Sequence, residues 1–399
     1  MIRHLLKLVW NRKRANALVI AEILASFFVL FAVITPAVSI MGNARKPLGF
    51  EWRNIWDVRL EMGREIEEVK AEEKQQLVAT LQQVMRELRT MPEIEGVAGS
   101  QTPPYSMSTR SGRWDINGSA VEIIFDEVTD EYLDVMKMKV VKGRWFRPED
   151  DALNYQPVVL DANAAKAIYP KGDAIGSKFD RDAEREMRVV GIVEPYRKDG
   201  ELSSPANTVF QRIATNGAHG RPPSHLLLRL RPNVGAEFEE KLYARMRAVA
   251  PQLAFRVRYM ENMRKLSRRM LLGPLALGGL VALFLIAMVG LGLTGVLWQN
   301  VTTRARELGV RRALGASGSA VRMQVLGEVL VLATLAVIAG SIVVAQLPIL
   351  GLFAWVPPHA YVAGFAGALA TIYALTVLCA WYPSWLASRV TPAEALRYE

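Results

Sequence analysis

The chain has 399 residues, 51% of them hydrophobic, with a formal net charge of +10 and a single cysteine, Cys379. One thiol excludes an intramolecular disulfide, and inside an apolar run it reads as a small hydrophobe. The basic balance does not mark nucleic-acid binding, because Lys and Arg collect beside apolar runs and form no stripe interleaved with aromatics.

Residues 1–16 carry Arg3, Lys7, Arg12, Lys13 and Arg14 and are expected to form a cytoplasmic N-terminal helix. The first apolar run, 17–41, is interrupted only by Glu22. A bilayer core of about 30 Å takes roughly 20 mostly apolar residues in a helix, so this run is long enough to span. It is too long for the core of a signal peptide and lacks a small-residue cleavage pattern.

Residues 42–270 are as hydrophilic as an ordinary soluble domain and are expected to fold outside the membrane. Trp52 to Leu60 reads as a strand, and Arg64 to Arg89 as an amphipathic helix with Ile66, Val69, Leu77, Leu81, Val84 and Leu88 at helical spacing. Near the other end, His225 to Leu230 reads as a strand, Phe238 to Val249 as a helix and Phe255 to Tyr259 as a strand. Two strand-and-helix halves flanking a middle piece define a split α/β subdomain with an insertion at about 118–220. That insertion holds β patterns at Val121 to Phe125, Pro157 to Leu160 and Met187 to Val193. The polar stretch from Asp199 to Pro223 reads as a mobile loop.

Three further runs meet the spanning requirement: 271–298, 325–347 with Glu328 near its start, and 360–385. With no water to satisfy backbone amides, all four must be helices. The link 299–324 carries Arg304, Arg306, Arg311, Arg312 and Arg322, whereas the loop 348–359 has no Lys or Arg. The loop charges therefore put both termini and the 299–324 link in the cytoplasm. The run Arg264, Lys265, Arg268 and Arg269 lies just outside the second span against this pattern, and reads first as a solvated helix face, with a basic patch touching anionic lipid or a partner as its rival. The fold class is thus four transmembrane helices plus an α/β extracytoplasmic domain, and the tail 386–399 is expected in the cytoplasm.

Motifs for chemistry are sparse. No phosphate-cradling G-x-x-x-x-G-K-[ST] occurs. Gly290, Gly292 and Gly295 spell G-x-G-x-x-G inside a span, where close helix packing is the reading. Gly278, Gly279, Ala282, Gly290 and Gly292 suit a dimer interface along spans one and two, or packing inside one subunit. His4, His219, His225 and His359 lack metal-ligand spacing, so neither a metal nor a catalytic residue is expected. Glu22 and Glu328 are charges near hydrocarbon, close to the cytoplasmic ends of their spans. Pairing with a nearby basic group or amide is the first reading of each, and a proton relay its rival.

The 299–324 link sets Leu308, Val310, Ala313 and Leu314 among charges, which reads as a short amphipathic helix or as a basic topology anchor. The run Arg304 to Ala316 (RARELGVRRALGA) resembles the coupling segment of FtsX-like permeases, and Pro383 to Arg397 resembles their terminal P-x-x-x-A-x-x-x-x-P-x-x-A-L-R pattern. Asp130 to Phe146, Pro157 to Pro170 and Val189 to Glu194 resemble the MacB-type periplasmic core.

The resemblance implies a permease subunit of a MacB-type ABC transporter of the mechanotransmission class, in a bacterial inner membrane. It implies a dimer, homo- or heteromeric, with a separate ATPase carrying ATP and Mg, since this chain begins sixteen residues before its first span. Arg304, Arg306, Glu307, Leu308, Gly309, Arg311, Arg312, Leu314, Gly315 and Ala316 are the implied docking residues. Efflux of a peptide, drug or siderophore through an adaptor and outer-membrane channel is the leading expectation. Lipoprotein extraction and mechanical regulation of envelope enzymes are its alternatives.

Overall fold

The computed structural model describes residues 13–61, 71–116, 119–170, 172–179, 186–214, 222–303, 310, 314, 317–352 and 356–387. The chain divides into two compact units, Asn43–Leu271 and the remainder.

In the second of these, four helices are long and apolar enough to cross a membrane. They are α1 (Lys13–Ala44), the C-terminal part of a long helix Met260–Thr303, a helix Gly318–Gln346 and a helix Pro358–Ala387. Their shared core is aliphatic and aromatic: Ile23, Phe27, Phe31, Leu293, Ala333, Ala336 and Ile372 are all buried. Small residues set the helix spacing. A Cβ on Gly340 would stand 2.6 Å from the Phe27 ring, and one on Gly367 3.1 Å from Ile34.

The unit Asn43–Leu271 is built on one mixed sheet. Its strands are β1 (Ile55–Glu61), β2 (Ile94–Ser100), β3 (Arg110–Ile116), β4 (Ser119–Val128), β5 (Val140–Gly143), β6 (Gln156–Asp161), β7 (Lys178–Phe179), β8 (Met187–Val193), β9 (Thr208–Arg212), β10 (His225–Leu230) and β11 (Ala254–Tyr259). The main path runs β11-β1-β10-β2-β4-β9-β6-β8-β5, with β3 hanging on β4 and β7 on β8. Helices α2 (Ala71–Arg89) and α5 (Phe238–Val249) cover the β11-β1-β10-β2 half. There Trp56, Val58, Leu226 and Leu228 pack under Leu81, Leu88, Leu242 and Met246. A short helix α3 (Tyr132–Val135) and α4 (Ala162–Ile168) serve the other half. Chain order then gives α6 to Met260–Thr303, α7 to Gly318–Gln346 and α8 to Pro358–Ala387.

The two halves of the sheet meet at one strand pair, Ser100 with Val128, on β2 and β4. Two main-chain bonds, Gln101 N to Glu127 O and Thr129 N to Gly99 O, reinforce it. Gly99 must be bare, since a Cβ would fall 2.8 Å from Pro223 and 2.9 Å from Thr129.

The fold class read from the sequence holds, and β8, β10 and α5 fall on their expected residues. The mobile loop expected over Asp199 to Pro223 is corrected. Its centre is β9, wholly buried and paired to β4 on one side and β6 on the other. Residues 62–70, which include the start of the expected amphipathic helix, lie outside the described residues, as do 1–12, 215–221 and 388–399.

Candidate functional site

Within the membrane unit, the small residues expected on the second span meet different neighbours. A Cβ on Gly278 would lie 3.0 Å from Val33 of α1, and one on Gly290 3.6 Å from Cys379 of α8. Ala282 is buried, and Gly279 has nothing within 4 Å of its Cβ position. Gly292 faces Glu22, whose Oε2 stands 2.6 Å from the place a Cβ would take. Glu328 is half-buried on α7. Leu277, Leu280, Leu283, Phe284 and Leu291 line an exposed apolar face of α6.

Of the expected docking segment, Arg304, Arg306, Glu307, Leu308, Gly309, Arg311, Arg312, Gly315 and Ala316 lie outside the described residues. Leu314 is described and is 83% exposed, with its amide bonded to Val310 O at 3.0 Å; Val310 is also exposed.

In the α/β unit, a polar junction forms where the chain leaves α1 and enters α6. The buried Arg197 follows β8. Its Nη1 donates to Asn43 O (2.7 Å) and Lys46 O (3.2 Å), and its Nη2 to Glu201 O (2.6 Å) and Ser203 O (2.5 Å). Glu201 turns its carboxylate to α6, accepting from Arg264 Nη2 at 2.5 Å, with Arg268 at 3.7 Å. Arg264 also lies over the Trp52 ring, 4.3 Å from its centroid. Burial alone would raise the Glu201 carboxyl, but its own amide and the two arginines hold it below the ordinary glutamate value. Desolvation lowers Arg197. A second buried guanidinium, Arg229 on β10, donates to Val135 O, Arg53 O and Glu51 O and fixes the far end of the same exit segment.

Two further clusters are buried. Asp57 (β1) accepts from His225 (β10) at 2.8 Å and from Arg258 (β11) at 3.1 Å, an ion pair across three adjacent strands. Asp126 on β4 accepts from Ser100 and Thr102 hydroxyls, both at 3.1 Å, while its Oδ2 has no partner. Burial lifts its carboxyl to about 6, against the field of Lys198. Among the described residues no group of three or more His, Cys, Asp or Glu could hold a metal ion.

Sequence reasoning registered Arg264 and Arg268 but gave them no partner within the chain, and it missed Arg197, Glu201 and Arg229. Glu201 and Arg264 are separated by 63 positions, so only the fold brings them together.

Four helices long and apolar enough to cross a membrane, with a separate mixed α/β unit between the first and second of them in the chain, define a membrane protein with one large domain outside the spans. The MacB-like periplasmic core domain matches residues 30–244, and the FtsX-like permease C-terminal matches 279–392. The chain belongs to the MacB/FtsX-like permeases of ABC transporters. An uncharacterized ABC transporter permease, YvrN, of Bacillus subtilis is 24% identical over 68% of this chain and 69% of its own length. The macrolide export ATP-binding/permease protein MacB of Aggregatibacter actinomycetemcomitans is 24% identical over 53% of this chain, a match spanning 33% of its length. The solved periplasmic region of MacB from Actinobacillus actinomycetemcomitans gives a TM-score of 0.38 at 18% identity, covering 54% of this chain and 93% of that one.

Proposed function

We propose that this chain is the permease subunit of an ABC transporter powered by a separate ATPase dimer, with the α/β domain moving in response to ATP turnover and driving efflux of a peptide, drug or siderophore. The observation that carries this reading is the joint match of one chain to the MacB-like core and the FtsX-like C-terminal region. The second match includes the Arg304 to Ala316 segment. In this reading both termini face the cytoplasm of a bacterial inner membrane and a second permease subunit completes the dimer. Leu308 and Leu314 fill a groove on the ATPase while Glu307 and the arginines make polar contacts. The exposure of Leu314 supports that role, since an apolar side chain 83% exposed leaves its surface available to a partner.

Purifying the chain from its native membrane with whatever ATPase accompanies it tests the reading. Leu308→Asp with Leu314→Asp should abolish permease-stimulated ATP hydrolysis while leaving membrane insertion intact. Stimulation that survives both changes refutes the docking assignment.

A further inference from the structure

We propose that Arg197 and Glu201 form a strut that ties the exit of α1 to the start of α6, so that movement of either helix is turned into a movement of the far half of the sheet relative to α6, about the Ser100–Val128 seam. This rests on the reading that the domain moves with ATP turnover, and it adds the residues that carry the movement.

A guanidinium is planar, always charged, and donates from both sides of a rigid fork. In Arg197 one side of the fork holds Asn43 O and Lys46 O, at the end of α1 and just beyond it. The other side holds Glu201 O and Ser203 O, in the loop after β8. All four acceptors are main-chain carbonyls, so the bonds fix backbone to backbone and do not depend on a flexible carboxylate side chain. The side chain is buried, and its Nε has no partner. Packing alone would be met at lower cost by an apolar residue, because a buried charge without a paired carboxylate is expensive.

The loop that Arg197 grips is in turn bound to α6. Glu201 takes Arg264 and lies near Arg268, and Asp199 O accepts from Ser267 Oγ at 3.1 Å. Residues 197–201 thus touch both chain connections to the membrane helices. Trp52, in the α1 exit segment, closes the ring by lying under Arg264.

Tyr105 extends this contact toward the weak seam of the sheet. It follows β2, five residues after the Ser100–Val128 pair that joins the halves. Its φ is +60°, a left-handed conformation that an aromatic residue rarely adopts and that persists only where surroundings enforce it. Those surroundings are the junction itself. The ring packs against Phe50, centroids 5.8 Å apart, and over Gly200, where a Cβ would fall 2.6 Å from it. Its hydroxyl lies 3.4 Å from Glu201 Oε2. A shift of Glu201 therefore reaches the loop that borders the seam.

The test uses the full chain with its co-purifying ATPase. Cys379 is replaced by Ala, and spin labels are placed at the exposed Lys166 on α4 and Arg269 on α6. Pulsed electron paramagnetic resonance then reads the distance between the labels with and without ATP and vanadate. Arg197→Lys keeps the charge and loses the fork; Glu201→Gln keeps the shape and loses the charge pair. In each, the nucleotide-dependent distance change should shrink to within the width of the resting distance distribution, with ATP hydrolysis still near the parent rate. A merely structural role would instead lower the melting temperature and leave the distance change intact. Variants that move as far as the parent overturn the strut alone. A parent chain whose labels do not move overturns the moving-domain reading and the strut with it. Should Arg197→Lys fail to fold, Glu201→Gln, on the outer side of the junction, decides the matter.

Discussion

The carboxylate of Glu22 on α1 lies against the bare backbone of Gly292 on α6, its Oε2 2.6 Å from where a Cβ would stand. The group in the way is the free end of a flexible side chain. Gly292→Ala should therefore be accommodated by rotating the carboxylate, with a stability change below about 0.5 kcal/mol. Gly292→Leu cannot be accommodated this way and should cost about 1–3 kcal/mol through overpacking. Melting temperatures of the purified chain in detergent read the difference, and equal values for the two variants would remove Glu22 from this contact.

Gly340 on α7 offers the contrasting case. Its Cβ position is 2.6 Å and 3.0 Å from two ring carbons of Phe27, and Phe27 is 0% exposed. A rigid buried ring cannot rotate away as a carboxylate can. Gly340→Ala should lower stability by about 1–3 kcal/mol despite the better helix propensity of alanine. Trimming the ring in Phe27→Leu should restore part of the loss. A Gly340→Ala chain as stable as the parent would mean that α1 and α7 lie further apart than described.

Arg212 at the end of β9 reaches two acids at once. Its Nε and Nη2 bond Asp130 at 2.6 and 2.9 Å, and its Nη1 bonds Asp151. The arginine side chain is 4% exposed and the two acids 12% and 21%. Burial acts first on the Asp130 carboxyl and raises it, even with Arg212 opposing. Arg212→Met would strand both acids, and the expected loss is about 3–5 kcal/mol in chemical denaturation. Asp151→Asn should cost far less, because it removes one charge and keeps a hydrogen-bond acceptor. A mild effect of Arg212→Met would show that solvent already neutralises the cluster.

The same residue explains where sequence reading failed. The run Thr208 to Arg212 (TVFQR) looks polar, and it sits in a stretch punctuated by glycine and proline. It became a loop because periodicity weighs a buried arginine as solvent-exposed, while its partners are more than 60 positions away. Strand β2 (IEGVAGS) was hidden for a related reason. Its two glycines break the apolar alternation that marks a strand, and Gly99 is needed where Pro223 and Thr129 press on it. The spans, β8, β10 and α5 were legible because apolar length and periodicity alone define them. The Arg197–Glu201 junction was not, because it depends on which loops the sheet brings together.

Asp126 gives a prediction with a defined pH window. It is fully buried on β4, with Ser100 and Thr102 donating to one oxygen, Lys198 supplying the opposing charge and the Tyr132 and Tyr196 hydroxyls within reach of its field. Burial raises its carboxyl from 3.8 to about 6, so the folded chain holds a proton over a range where the unfolded chain has released it. The stabilising contribution is fully present below about pH 4 and is lost as pH rises through 6. A shift of this size corresponds to something on the order of 2–3 kcal/mol between those limits. Asp161, also raised to about 6 by burial, titrates in the same window and will persist in any Asp126 variant. Asp126→Asn keeps an acceptor for the two hydroxyls and removes the titration. Its loss of melting temperature between pH 5 and pH 7.5 should therefore be smaller than the parent's, though not zero. Since Ser100 also forms the single pair joining the two halves of the sheet, ionising Asp126 bears directly on that seam. An Asp126→Asn chain with the parent's full pH dependence would show that Asp126 is already ionised throughout, held so by Lys198.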